Sequence, residues 1–146
     1  MVGRDVDALE EAHASLHGTP GECSVISADL SEAEGVEQLI SSCADVDVLI
    51  ANAGVTSAAE TGSLPRSEID RLTYLMGAGV VRLCEGVVPG MVARGGGTVV
   101  IVSSIAAFTP MRKSGPYAAS KAFSTSYAKS LSLEVAAHGV NVVAVC

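Results

Sequence analysis

An α/β fold, with parallel strands joined by crossover helices, is what this 146-residue sequence predicts, on two observations. Short β-branched apolar runs alternate with longer stretches of helical periodicity along the whole chain. No internal repeat, charge block or linker interrupts that alternation. With 49% hydrophobic and 17% charged residues, the length suits one core, so residues 1–146 are read as one domain.

The elements follow in order. From Asp5 onward, Val6, Leu9, Ala12 and Leu16 recur on one helical face, which Gly18 and Pro20 terminate. Residues 23–28 read as a strand. Ser31 and Glu34 have the spacing of a capping box ahead of Val36, Leu39 and Ile40, so a second helix is expected there. Residues 46–51 follow as a buried strand. The next helix opens after Pro65 with Ser67 as N-cap and continues to about Arg94. Gly77, Gly79, Gly86 and Pro89 should bend it, with a break near Pro89. Residues 98–103, TVVIVS, make a fully buried strand, residues 114–138 a long helix, and residues 141–145 the start of another strand. The order is therefore a helix followed by βαβαβαβ. Right-handed crossovers bring the strand C-termini to one edge, where open α/β sheets bind their ligands.

Composition narrows the function. Nine basic against sixteen acidic residues give a formal charge of −7, which disfavours nucleic-acid and anionic-lipid partners. The longest stretch without charge, residues 95–111, is broken by Gly, Ser, Thr and Pro, and no membrane-spanning helix is expected. The N-terminus MVGRDVDALEE carries acidic residues where a signal peptide needs an apolar run, so a cytoplasmic protein is expected. Cys23, Cys43, Cys84 and Cys146 are scattered without a C-x-x-C pair and read as reduced thiols. His13 and His17 are spaced i and i+4, but with no third ligand evident they read as surface histidines, and no metal site is expected.

Strand ends supply Arg4, Asp29, Asn52-Ala53-Gly54 and Ser103-Ser104. Tyr117 and Lys121 sit one turn into the long helix, at i and i+4 on one face. An ammonium beside a phenol favours the phenolate and equips the tyrosine for proton exchange near neutral pH. Taken singly, these residues also have ordinary readings: a solvated i, i+4 pair, a turn Asn before Gly54, a loop Asp.

Residues 100–123, VIVSSIAAFTPMRKSGPYAASKAF, together with LIANAGV at 49–55, resemble the short-chain dehydrogenase/reductase family. In that family a strand ends in a Ser pair, Tyr follows thirteen residues after the second Ser, and Lys comes four further on. Ser104, Tyr117 and Lys121 reproduce both intervals. The resemblance covers nearly the whole chain. It implies a Rossmann-like doubly wound parallel sheet, incomplete here because the first and last strands are missing. It also implies an oxidoreductase moving a hydride between NADP(H) and a carbonyl or secondary alcohol. By that resemblance Tyr117 is the acid/base, Ser104 binds the substrate oxygen, and Lys121 holds the nicotinamide ribose and lowers the Tyr117 pKa. Asn52 shapes the cofactor pocket, while Asp29 contacts the adenine amino group with the backbone of Leu30 nearby. Gly3 stands where NAD users carry a carboxylate and Arg4 follows it, so NADP is favoured over NAD, the 2′-phosphate pairing with Arg4.

Two departures carry expectations. Met76 falls where the family keeps an Asn that binds a proton-relaying water, and a thioether is a poor substitute. The Gly-rich turn T-G-x-x-x-G-x-G is absent, and Gly95-Gly96-Gly97 precedes a strand rather than opening a helix. The sequence therefore reads as an internal piece of the family's domain. A competing reading is a non-catalytic remnant or interaction module, whose helices from Ser67 and Ser114 pair as they do in the family's homo-oligomers. In the family's strand order 3-2-1-4-5-6-7 the missing first strand is central. The strand at 23–28 should then either close up against 46–51 or leave a gap. Either outcome predicts an aggregation-prone or partly folded chain that binds NADPH poorly.

Overall fold

The chain enters its first helix through Asp5, whose carboxylate accepts a hydrogen bond from the Ala8 amide at 3.0 Å. The computed structural model describes residues 1–43, 45–109 and 111–146. The elements are β1 (Val2–Gly3), α1 (Val6–Ser15), β2 (Ile26–Ser27), α2 (Ala33–Ser42) and β3 (Val48–Ala51). There follow α3 (Arg66–Thr73), a π turn (Tyr74–Ala78), α4 (Gly79–Arg94), β4 (Gly97–Val102), α5 (Gly115–Val135) and β5 (Val140–Val145). The α/β class and the order of elements agree with expectation, and the stub at Val2 adds a short strand of its own.

All pairings are parallel, but they form two separate sheets, β1-β2 and β3-β4-β5. Of the two arrangements expected for the strand at 23–28, the gap is the one adopted. That strand is also shorter than expected, Ile26–Ser27, because its partner β1 is only two residues long. The amides of Ile26 and Ala28 reach the carbonyls of Met1 and Gly3, and the N-terminal ammonium reaches the Ser24 carbonyl. The strand expected to be buried at 46–51 begins at Val48 and buries only Leu49, and the strand expected to be fully buried at 98–103 is Gly97–Val102 and buries only Val99 and Ile101, because helices cover one face of this sheet.

One face of the larger sheet holds the core. Leu49, Val99, Ile101, Val140 and Val142 pack against Val36 and Leu39 of α2, Leu83, Val87 and Met91 of α4, and Ala128, Leu131 and Val135 of α5. Burial there is nearly complete, with Val99 and Met91 at 0% exposure. The other face is open: Val48, Ile50, Val143 and Val145 remain largely exposed.

Three expected helix details are corrected. Ser31 and Glu34 do not form a capping box, because the Ser31 amide and hydroxyl both donate to the Asp29 carboxylate and the helix instead starts after Glu32. The third helix has Pro65 at its N-cap position, without a side-chain cap, and Ser67 lies inside its first turn. Its irregularity lies at the π turn, where the Gly79 amide reaches the Tyr74 carbonyl, and not at Pro89, which sits inside α4. Gly79 permits this, since a Cβ there would lie 2.9 Å from the Tyr74 carbonyl oxygen. Around Pro89 the buried Val87, Val88 and Met91 hold the helix through the missing hydrogen bond. The helical run Arg66–Arg94 is long and apolar enough to cross a membrane by length and composition, with a mean hydropathy of 1.4. Half of its apolar window is buried within the protein, where it supplies core residues. The long helix expected over 114–138 is α5 followed by a single 3-10 turn, Ala136–His138.

Candidate active site

β4 ends at Val102, and Ser103 and Ser104 follow it directly into a 3-10 turn. Ser104 is the cap of that turn: its hydroxyl oxygen accepts from the Ala106 amide at 3.1 Å, which leaves the hydroxyl proton to donate elsewhere. Ser103 points the other way. Thr125 and Ser124 donate to the Lys121 carbonyl, and the buried Ser103 Oγ donates to Thr125 Oγ1 with the same carbonyl 3.4 Å away. This cluster latches the end of β4 to the second turn of α5.

The latch positions the acid/base candidates. Pro116 occupies the first turn of α5, where its missing amide proton costs nothing, and Tyr117 follows, partly buried. Lys121 is buried at 6% exposure. Its Nζ donates to the Val102 carbonyl at 2.7 Å and lies 5.9 Å from the centroid of the Tyr117 ring. Burial holds the Lys121 pKa below its usual 10.5. The ammonium retains two further donors for a ligand. Ser104, Tyr117 and Lys121 are thus brought to one corner, where β4 meets α5.

The loop after β3 closes the same edge. Asn52 is exposed, with its amide donating to the Ile50 carbonyl at 3.1 Å. Two residues on, a Cβ at Gly54 would lie 3.3 Å from Met76 Sδ. Met76 is 1% exposed, so the thioether fills a packed position beneath this loop. Further along, the Ala59 amide donates to the Lys113 carbonyl, and Lys113 Nζ pairs with Glu60 at 2.8 Å. Those contacts hold the left-handed backbone of Lys113 (φ 64°) ahead of Tyr117.

The pattern described as short chain dehydrogenase matches residues 1–146 in full. The chain belongs to the short-chain dehydrogenase family. It is 37% identical over 97% of its length to dehydrogenase/reductase SDR family member 4 of Bos taurus, covering 50% of that protein. It is 29% identical to a fatty acyl-CoA reductase of Acinetobacter baylyi, over 99% of this chain and 51% of the relative. Among solved structures, the bulky-bulky ketone specific alcohol dehydrogenase of Comamonas testosteroni superposes with a TM-score of 0.94 at 28% identity. That superposition covers 99% of this chain and 60% of the other. A metagenomic short-chain oxidoreductase in complex with NADP aligns with a TM-score of 0.91 at 25% identity, over 98% of this chain and 66% of that one. The chain spans about half the length of the curated relatives it matches.

A second group of candidate residues lies at the end of β2. A cavity of about 590 Å³ is lined by Arg4, Ser27, Asp29, Glu32, Gly35 and Gln38, among others. Arg4 and Asp29 face each other across it, 3.6 Å apart and both substantially exposed. Burial is the largest single influence and raises the Asp29 pKa, but the Ser31 hydrogen bonds and the Arg4 charge together outweigh it and hold the carboxyl below its usual 3.8. Gly35 permits this loop, because a Cβ there would lie 2.0 Å from the Asp29 carbonyl oxygen. Leu30 is partly buried, and its carbonyl lies 3.4 Å from where a Gly79 Cβ would stand. The sequence reading missed two things here. It did not pair Arg4 with Asp29, and it did not assign Ser103 or Thr125 a role, although the Ser pair at the strand end was a visible signal.

Proposed function

We propose that residues 1–146 are a partial dinucleotide-binding domain carrying the catalytic corner of an NADP(H)-dependent oxidoreductase for carbonyls or secondary alcohols. The observation that carries this is the latch of Ser103 and Thr125, which fixes Ser104 on one side and Tyr117 and Lys121 on the other. When bound, the nicotinamide cofactor supplies or accepts the hydride.

The chain's own residues do the rest. In reduction Ser104 donates a hydrogen bond to the carbonyl oxygen, and the Tyr117 hydroxyl gives that oxygen its proton as the carbon gains hydride. The phenolate left behind faces the Lys121 ammonium, which stabilises it. Oxidation runs the same proton backwards. The two remaining Lys121 donors hold the nicotinamide ribose hydroxyls, and Asn52 borders the same pocket. At the far end Asp29 and the Leu30 backbone receive adenine, and Arg4 receives a 2′-phosphate. An exposed pair such as Arg4–Asp29 is weak, so a phosphate can draw Arg4 away. The donors present therefore fit the two ends of the cofactor, while the wall between them is apolar and offers the pyrophosphate little. The free thiols of Cys23, Cys43, Cys84 and Cys146 fit the cytoplasmic setting expected from the sequence, and the exposed Phe123 and Leu133 of α5 leave apolar surface for pairing of copies.

The experiment is NADPH-dependent turnover of a panel of ketones and aldehydes, with cofactor raised until the rate no longer climbs. Tyr117→Phe should lower turnover by about 10²–10⁴-fold and leave cofactor affinity nearly unchanged. Equal rates for the variant and the parent chain overturn the assignment. The split sheet and the packed Met76 favour a second reading, a non-catalytic interaction module, which absence of turnover together with stable self-association would support.

A further inference from the structure

Tyr117 sits between two anchors of different kinds. On its C-terminal side the Ser103–Thr125 latch fixes α5 at Lys121, one turn on. On its N-terminal side the helix has no side-chain cap, since Ser114 occupies the cap position without bonding to a first-turn amide, and Pro116 brings no amide proton. What holds that end is Lys113. Its carbonyl accepts from the Ala59 amide at 2.8 Å and its Nζ pairs with Glu60 at 2.8 Å, which ties the loop after β3 to the entrance of α5. Glu60 is itself fixed, because its carbonyl accepts from both the amide and the hydroxyl of Ser63.

The backbone of Lys113 gives its side chain a purpose. Among the described residues it is the only one other than glycine with a positive φ, 64°. A glycine adopts that conformation without strain, so a side chain at this place is a cost unless its contacts matter. An ion pair this open, with side chains 50% and 69% exposed, contributes little to stability. Its effect is on position, because it sets two loops in register at the edge where Ser104, Tyr117 and Lys121 meet. We propose that Lys113 is a positioning residue for Tyr117, acting through the Glu60 tie to hold the first turn of α5, and with it the phenol, in line with the latched second turn. The proposal rests on the acid/base reading of Tyr117 above. Lys113 takes no part in the proton transfer itself.

The test uses the 146-residue chain with isotope-labelled tyrosine, whose magnetic resonance signals report Tyr74, Tyr117 and Tyr127 separately, together with hydrogen exchange and NADPH-dependent turnover. Glu60→Gln and Lys113→Met should each speed exchange of the Ala59 amide about two- to fivefold, the range expected for loss of an exposed ion pair. Each should move the ring signals of Tyr117 and leave those of Tyr74 and Tyr127 in place, with exchange in β4 and β5 unchanged. Turnover should fall about three- to tenfold while the cofactor KM holds, since a misplaced proton donor slows the chemical step and not the binding. Lys113→Arg, which keeps the charge and the pair, should match the parent chain. Glu60→Gln combined with Lys113→Met should be no worse than either alone. Unmoved Tyr117 signals overturn the proposal, as do losses that add in the double variant, or a Lys113→Arg variant that behaves like Lys113→Met. Absence of turnover in the parent chain sinks the catalytic reading alone, and the ring signals and Ala59 exchange then decide the positioning role.

Discussion

β2 and β4 are parallel strands of the same polypeptide, with β-branched residues in both, yet they are built to different standards. β4 pairs with β5 over its whole length and with β3 from Thr98 to Ile101, and it buries Val99 and Ile101 at 0% and 1% exposure. β2 pairs along one edge for two residues, and Val25 just before it is exposed. The contrast shows that neighbours make a strand: a β-branched run becomes a long, buried element only where partners of equal length flank it. It also divides the candidate sites, since the acid/base corner stands on the well-built sheet and the Arg4–Asp29 cavity on the thin one.

Substitution in each strand measures that contrast directly. Ile101→Ala should cost about 2–5 kcal/mol in denaturant unfolding, because the site has no solvent access and little room to collapse. Ile26→Ala, in a partly exposed position, should cost less than about 1.5 kcal/mol. Equal losses would break the contrast. Gly35→Ala should cost about 1–3 kcal/mol, since the new Cβ drives into the Asp29 carbonyl. Its amide shift changes should gather around Asp29 and Ser31 while hydrogen exchange in β4 and β5 holds, which sharpens the division between the two regions.

Met76→Asn is a smaller perturbation of the well-built half. It restores the residue type the family keeps, but it also places an amide where a thioether is 1% exposed. A loss of about 1–2 kcal/mol is expected in thermal or chemical unfolding, with the catalytic gain read separately from turnover. The smallest effect is that of pH on Lys121. Its folded pKa lies below the unfolded 10.5, so keeping the ammonium buried costs stability at neutral pH, and the cost fades as pH rises through the folded value toward 10.5. The stability difference between the parent chain and Lys121→Met should therefore move in favour of the parent as pH climbs through that window, while the variant loses turnover throughout. A flat difference would mean that the Val102 carbonyl fully compensates the burial.

Much of the site was legible in the sequence because it is local. Tyr117 and Lys121 share a face by helical spacing alone, and the Ser pair marks a strand end. The capping box at Ser31 failed because a competing local acceptor, Asp29, sits two residues upstream and takes both Ser31 donors. The break placed at Pro89 failed for a tertiary reason, since packing on both sides of the proline outweighs one lost hydrogen bond, while the π turn forms where α4 meets the loop at Leu30.

By itself, then, the sequence determined the periodicities: which runs are strands, which are helices, and which residues share a helical face or a strand end. These depend on neighbours within a few positions, which pattern and propensity record. Only the tertiary structure decided that the sheet is split, that Ser103 reaches Thr125 across twenty-two positions, that Arg4 meets Asp29, and that Met76 is core. Each of those depends on which surfaces meet in space, and on where a strand finds or lacks a partner, so no window of adjacent residues contains it.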